Sequence, residues 1–255
     1  MNSSPNLLIT QLLNTGCQLH MAGQLEEAFS IYHQVLGKEP RNAEANYLLG
    51  TLVYQTGDVS MAQKLIGNAI RIDPSKPEYH NNLGLVLQAV GNNQKAAHSF
   101  RRAIKLNSEF SDAINNLGII LKNEGDADQA EKMFRDALRL QPNFIESWNN
   151  LGGVLEEKGS TNEAIECYKI SIKISPEIAL THYNLGIAYK KAGQSDAALA
   201  SYNCAVLLDP NLSQVHQNVG VIFQELGRFD EAIACFRKAL DINPESIEAL
   251  YSLSL

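Results

Sequence analysis

The chain has 255 residues, with 28 acidic against 21 basic side chains and a formal net charge of −7. That balance, with a pI near 5.4, argues against the basic face on which nucleic-acid binding depends. No apolar run reaches the ~18 residues of a membrane span, and the opening MNSSPNLLIT has neither the basic region nor the long apolar core of a secretory signal. The expectation is a cytoplasmic chain with no nucleic-acid or membrane partner. Four cysteines without a CxxC pair fit a reducing compartment. Cys167 and Cys235 occupy one repeat position too far apart to bridge, and all four cysteines read as small buried hydrophobes.

In chain order, residues 1–8 are a polar lead, with Pro5 and Asn6 placed to start a helix. A period then sets in. Glycine stands at 16, 50, 84, 118, 152, 186 and 220, and again at 23, 57, 91, 125, 159, 193 and 227. A third series, 40, 74, 108, 142, 176, 210 and 244, is proline except at Ser108. Every step is 34 residues, which marks off repeats at 9–42, 43–76, 77–110, 111–144, 145–178, 179–212 and 213–246. In residues 145–178, Trp148, Leu151, Gly152 and Leu155 line one helix face, Gly159 ends it, Ala164, Tyr168 and Ser171 line a second, and Pro176 stops that one. Each repeat is therefore a helix A, a turn and a helix B. A lone hairpin would leave both apolar stripes open, so it needs a copy on each side.

Positions are numbered within the repeat. Glycine at position 8 costs ~1 kcal/mol relative to alanine inside a helix, so a packing reason is required. The proposed one is close approach of helix B, answered by small residues at position 20 (Ala28 to Ala232) and position 27 (Ala69 to Ala239), with large ones at position 24 (Tyr32 to Phe236) filling the gaps. Glycine at position 15 suits the left-handed residue after a helix. Proline at position 32 ends helix B, and Asp73, Asp209 and Asn243 before it are turn formers. Residues 247–255 begin an eighth repeat, and Leu250 and Leu253 there form an apolar edge. That edge leads to one of two expectations: the natural product continues, or another chain covers it by self-association.

The pattern resembles the tetratricopeptide repeat (TPR) family over residues 9–246. The resemblance implies an all-α, right-handed α-solenoid of seven repeats plus a partial eighth, with a concave groove that takes ligands.

No phosphate-loop, dinucleotide, metalloprotease or nucleophile-elbow motif is present. His80, His182 and His216 share position 4 with Trp148 and read as packing residues in an aromatic slot. Position-4 residues lie a whole repeat apart, which is wrong for a metal site. No catalytic residue, cofactor or metal is expected.

On the outer face of helix A, position 6 carries Asn82, Asn116, Asn150, Asn184 and Asn218, after Asn14 and Leu48. Asparagine is a poor helix former, yet its amide offers donors and an acceptor that can pair with any peptide backbone. Packed helices ~8–10 Å apart against ~3.3 Å per extended residue give one rung about every third ligand residue. Position 5 adds Asn81, Asn115, Asn149 and Tyr183, with Tyr47 and Gln217; position 9 adds Leu85, Ile119, Ile187 and Val221. Glu44, Glu78, Asp112 and Glu146 line position 2, Glu156, Glu157 and Glu225 the far wall, and Lys122, Lys190 and Lys191 oppose them, so the N-terminal half favours basic ligands. The alternative is that the position-6 amides cap or bridge neighbouring helix A backbones.

The NNLG blocks at 81–84, 115–118 and 149–152 are similar to the TPR region of O-linked N-acetylglucosamine transferases and related prokaryotic proteins. That resemblance implies that the five asparagines hold extended polypeptide, and it offers a second role, substrate recognition for a glycosyltransferase domain absent from this chain. Leu48 departs from the pattern. Position 6 is never basic, so the carboxylate clamp of chaperone-binding TPR proteins is rejected. The leading expectation is a non-catalytic scaffold for a protein or extended peptide.

Overall fold

A computed structural model describes residues 5–254, which divide into two compact units at residues 124 and 125. The first holds α1 (Pro5–Met21), α2 (Leu25–Lys38), α3 (Ala43–Gln55), α4 (Val59–Ile72), α5 (Pro77–Ala89), α6 (Asn93–Leu106) and α7 (Ser111–Asn123). The second holds α8 (Ala127–Leu140), α9 (Ile145–Glu157), α10 (Thr161–Ile174), α11 (Ala179–Lys191), α12 (Ser195–Leu208), α13 (Ser213–Glu225), α14 (Phe229–Ile242) and α15 (Ile247–Ser254). Within each unit a helix A packs on the helix B that follows it and on the helix B that precedes it.

The helix ends follow from local chemistry. Asn42, Asp58, Asn92 and Asp126 accept, through Oδ1, the N–H three residues on, which satisfies a donor the first turn leaves free. After helix A, the seven position-15 glycines have φ between +71° and +95°, a region a Cβ disfavours. After helix B, Asp73, Asn107 and Asp209 each accept the N–H two residues ahead at 3.0 Å, and Asn243 does so at 3.3 Å. Side chain and proline together close the turn after Asp73, Asp209 and Asn243; after Asn107, where Ser108 follows, the side chain acts without a proline.

Helix crossing works differently from the sequence expectation. Small residues at positions 20 and 27 are buried as expected. What occupies the space over the position-8 glycine, however, is the position-24 side chain of the same repeat, a ring over Gly16, Gly84, Gly152, Gly186 and Gly220 and Ile66 over Gly50. A Cβ on Gly84 would stand 2.4 Å from Phe100 Cε1, and one on Gly186 2.4 Å from Tyr202 Cε1. The glycine makes room for an aromatic edge, and the ring is sealed in return: Tyr32, Phe100, Phe134 and Tyr202 are all fully buried.

Helix A is also buried on a flank outside the face that Trp148, Leu151, Gly152 and Leu155 line. Position 10 (Val86, Ile120, Val154, Ile222) and position 3 (Ala45, Ala113, Ser147, Thr181, Val215) have no exposed surface. A helix packed between two B helices needs apolar or small side chains on both flanks, not along one stripe.

Two further expectations need correction. Only Cys167 is buried; Cys204 is exposed, and Cys17 and Cys235 lie between. Position 4 is more than a packing slot. Asn46, His80, Trp148 and His182 each donate a side-chain N–H to the carbonyl of the proline six residues back, Pro40, Pro74, Pro142 and Pro176, at 3.3, 3.0, 2.9 and 2.8 Å. These N–H groups latch each helix A to the turn that delivers it. Ile114, in the repeat preceded by Ser108, has no donor to offer. His216 has one, but its Nε2 is buried without a partner.

Candidate functional site

The position-6 asparagines lie mid-helix on α5, α7, α9, α11 and α13, all half-buried. In the first unit their amides are tied sideways. Asn116 Nδ2 donates to Asn81 Oδ1 at 3.1 Å, Asn81 Nδ2 to Asn82 Oδ1 at 3.2 Å, and Asn82 Nδ2 to the Tyr47 hydroxyl at 3.0 Å. This is an unbroken rail across α7, α5 and α3. Asn81 and Asn115 are 5% and 4% exposed, so their amides work inside the stack. Burial and the nearby Glu78 carboxylate push the Tyr47 hydroxyl up to about 12, keeping it protonated.

In the second unit the same spacing gives a different result. Asn218 Nδ2 donates to the Tyr183 hydroxyl at 3.3 Å, again 35 residues back. Asn184 stands 35 residues after Asn149, but that bond is not made. Asn149 instead donates to Thr181 Oγ1 at 3.0 Å, and its Oδ1 is buried with no partner. The Asn184 amide has no partner among the described residues. Asn150, one repeat before Asn184, is half-buried. A polar cavity of about 290 Å³ opens beside the next rung, lined by Tyr183, Asn218, Gln217, Gln214, Ser213 and Ser246.

The charges are partly spent within the chain. Glu44, Glu78, Asp112 and Glu146 are exposed at position 2. Lys190 Nζ lies 3.8 Å from Glu225 Oε1, and Lys191 Nζ reaches the Glu156 carbonyl at 3.5 Å. Glu156 also accepts the Tyr168 hydroxyl at 3.0 Å, so it turns toward helix B rather than standing on an outer wall. Lys122 is half-buried in the last turn of α7. The position-9 residues Leu85, Ile119, Ile187 and Val221 are all half-buried, as packing between helices requires. At the far end, Leu250 is 52% exposed and Leu253 half-buried.

Among the described residues no group of three or more His, Cys, Asp or Glu side chains is placed to hold a metal ion, and no helix is long and apolar enough to cross a membrane. The rail matches the bridging alternative raised from the sequence, with side-chain oxygens of the neighbouring helix A as acceptors instead of its backbone. Part of its signal is in the sequence: position 5 supplies an oxygen at Tyr47, Asn81 and Tyr183, and position 6 an amide one repeat later at Asn82, Asn116 and Asn218.

Tetratricopeptide-repeat models match residues 19–84, 77–110, 111–144, 179–212 and 213–246, and a TPR-repeat model matches 154–193. The chain belongs to the tetratricopeptide repeat family. Among solved structures, a chain of the APC/C hetero-tetramer Cut9-Hcn1 superposes with a TM-score of 0.79 at 20% identity, over 98% of this chain and 49% of that one. This chain thus spans about half the length of that relative. PilF of Pseudomonas aeruginosa gives a TM-score of 0.74 at 20% identity, over 86% and 99%. YrrB, a TPR protein with an unusual peptide-binding site, gives 0.63 at 22%, over 74% and 98%. These likenesses establish the fold. No curated protein matches the sequence.

Proposed function

We propose that the chain is a protein-interaction scaffold that holds an extended polypeptide on the outer face of its A helices, with the firmest grip in the second unit. One observation carries this reading: the unmade bond between Asn184 and Asn149. Asn82, Asn116 and Asn218 each donate to a partner one repeat back. Here a free amide and a buried, unpaired carbonyl oxygen stand one repeat apart. Leaving a buried polar atom unpaired costs about 1–3 kcal/mol, and a peptide backbone can supply the missing donor to Asn149 while pairing with the Asn184 amide. Asn150, Tyr183 and Asn218 continue the surface on either side, and the cavity beside Asn218 gives room for a polar side chain.

In the first unit, Asn82 and Asn116 are already engaged. They reach a ligand through their remaining lone pairs and hydrogens, so they guide the chain rather than grip it. The exposed acids at position 2 favour basic residues there.

The test is selection of random dodecapeptides on the immobilised protein, followed by anisotropy measurements on the enriched sequences. Asn184→Ala should weaken them at least tenfold and leave the unfolding midpoint unchanged. Enriched peptides that bind Asn184→Ala as well as the parent would overturn the reading.

A further inference from the structure

A second surface lies away from the asparagine face, where the first two repeats meet. α2, the end of α3 and the start of α4 enclose a hollow of about 380 Å³. Its floor and walls are apolar: Leu25, Phe29, Leu52, Val53 and Met61. Glu26 and Asp58 stand exposed on its rim. Position 21, Phe29 here, is Gln63, Ala97 and Glu131 in the next three repeats and Ile165, Leu199 and Ile233 in the last three; position 19, Met61 here, is Lys95, Gln129, Glu163, Ala197 and Glu231, so two large apolar side chains face each other across a junction here and at no later one.

The corresponding place between the fourth and fifth repeats, wholly within the second unit, shows what such a junction holds when it is filled from within. The counterpart of Glu26 is Asp128, of Phe29 Glu131, and of Met61 Glu163. Lys158, the counterpart of Thr56, reaches Asp128 at 2.5 Å and Glu131 at 2.6 Å. Arg135 joins Glu131 to Glu163 at 2.8 and 3.1 Å. The hydrogen bonds from Lys158 hold the carboxyls of Asp128 and Glu131 below the usual range. At the first junction the acid is kept and the cation is missing. Glu26 has no partner among the described residues, and the glutamates of the inner ring are replaced by Phe29 and Met61.

We propose that this hollow docks a segment of a partner protein that carries one large apolar side chain followed closely by lysine or arginine. The apolar chain enters between Phe29 and Met61. The cation meets Glu26, the place Lys158 takes opposite Asp128. Asp58 is part-committed, because its Oδ1 accepts the Met61 N–H at 2.9 Å, so it adds charge to the rim rather than direct contact. His33, which stacks on Phe29 at 6.0 Å, closes the other side of that ring.

The full chain, labelled with carbon-13 on its methionine methyls, reports this directly, because Met61 lines the hollow and Met133 is remote from it in sequence and serves as the control. The probes are acetyl-Leu-Gly-Lys-Lys-amide and its counterpart with two glutamates. The lysine peptide should move the Met61 signal alone, with about fivefold higher affinity than the glutamate peptide, a size ordinary for exposed ion pairs. Glu26→Lys should reverse the preference, Glu26→Gln should abolish it, and Asn184→Ala should change nothing. Equal response to both peptides, no movement of Met61 up to millimolar peptide, or loss of the response in Asn184→Ala would each overturn the proposal. So would a Met61 signal that moves on dilution without peptide, since the occupant would then be a second copy.

Discussion

The first unit ties Asn82 and Asn116 into a rail through Asn81 and Tyr47, and the second leaves a rung open at Asn184. The helical frame is the same in both: a glycine beneath a buried position-24 side chain, the same left-handed turn, the same buried small residues. Repetition of the frame therefore does not dictate what the outer face does. The difference comes from position 5 of the preceding repeat and position 3 of the next. Asn81 accepts from Asn116. Asn149 is turned toward Thr181, at a place where the first unit has Tyr79 and Ala113. One hydroxyl redirects one amide, and the next asparagine loses its partner.

Substitutions in the shared frame should not distinguish the units. Gly84→Ala and Gly186→Ala each force a Cβ into a buried ring and should cost about 1–3 kcal/mol or more in thermal unfolding. Similar losses on both sides place the difference in the outer face; a neutral substitution on one side would mean that the frames themselves differ.

The rail should separate them. Asn116→Ala strands the Asn81 carbonyl and should cost about 1–2 kcal/mol, whereas Asn184→Ala should cost close to nothing. Denaturant melts of the two variants give the contrast, and equal losses would erase it. Thr181→Ala sharpens the same point: it frees the Asn149 amide to turn back, and the selected peptides should then bind more weakly.

A smaller effect belongs to His216. Burial, and then the charge of Lys238, lowers its pKa from 6.5. Below about 6.5 the unfolded chain takes up a proton that the folded chain resists. Stability should therefore fall as the pH drops from about 6.5 toward the lowered folded value, and be fully present above that window. His216→Phe should flatten this part of the pH profile. An unchanged slope would assign it to other groups.

Thiol chemistry should respond with no change in stability. Exposed Cys204 should be alkylated first by iodoacetamide. Cys167, whose thiol burial pushes up to about 11, should react last, as mass spectrometry of partly labelled protein would show.

Much of the frame was legible in the sequence, because a single period carries it. Gly159 predicts a left-handed turn and Tyr168 a buried ring from spacing alone. Three features were not legible, each for a physical reason. The partner of Gly152 is the Tyr168 edge rather than Ala164, and that depends on how far a ring reaches across a crossing. The second buried flank at positions 3 and 10 appears only when the neighbours of a helix are counted. Which rungs the rail closes depends on the rotamers of Asn81 and Asn149, identical residues at the same repeat position with opposite hydrogen bonds. A helical wheel sets which face a side chain leaves from and leaves open which neighbour it meets.

The position-4 latches bear on how the molecule comes apart. In a repeat array, stability is close to a sum of repeat terms and nearest-neighbour couplings. A latch of about 1 kcal/mol strengthens one coupling by several-fold in equilibrium constant. Asn46 and His80 couple the first three repeats, and Trp148 and His182 couple the fourth through sixth. Ile114, His216 and Leu250 supply no such bond. Opening should therefore proceed in blocks, with amide exchange protection changing level between Ser108 and Ile114, where the proline and the donor that would grip it are missing together.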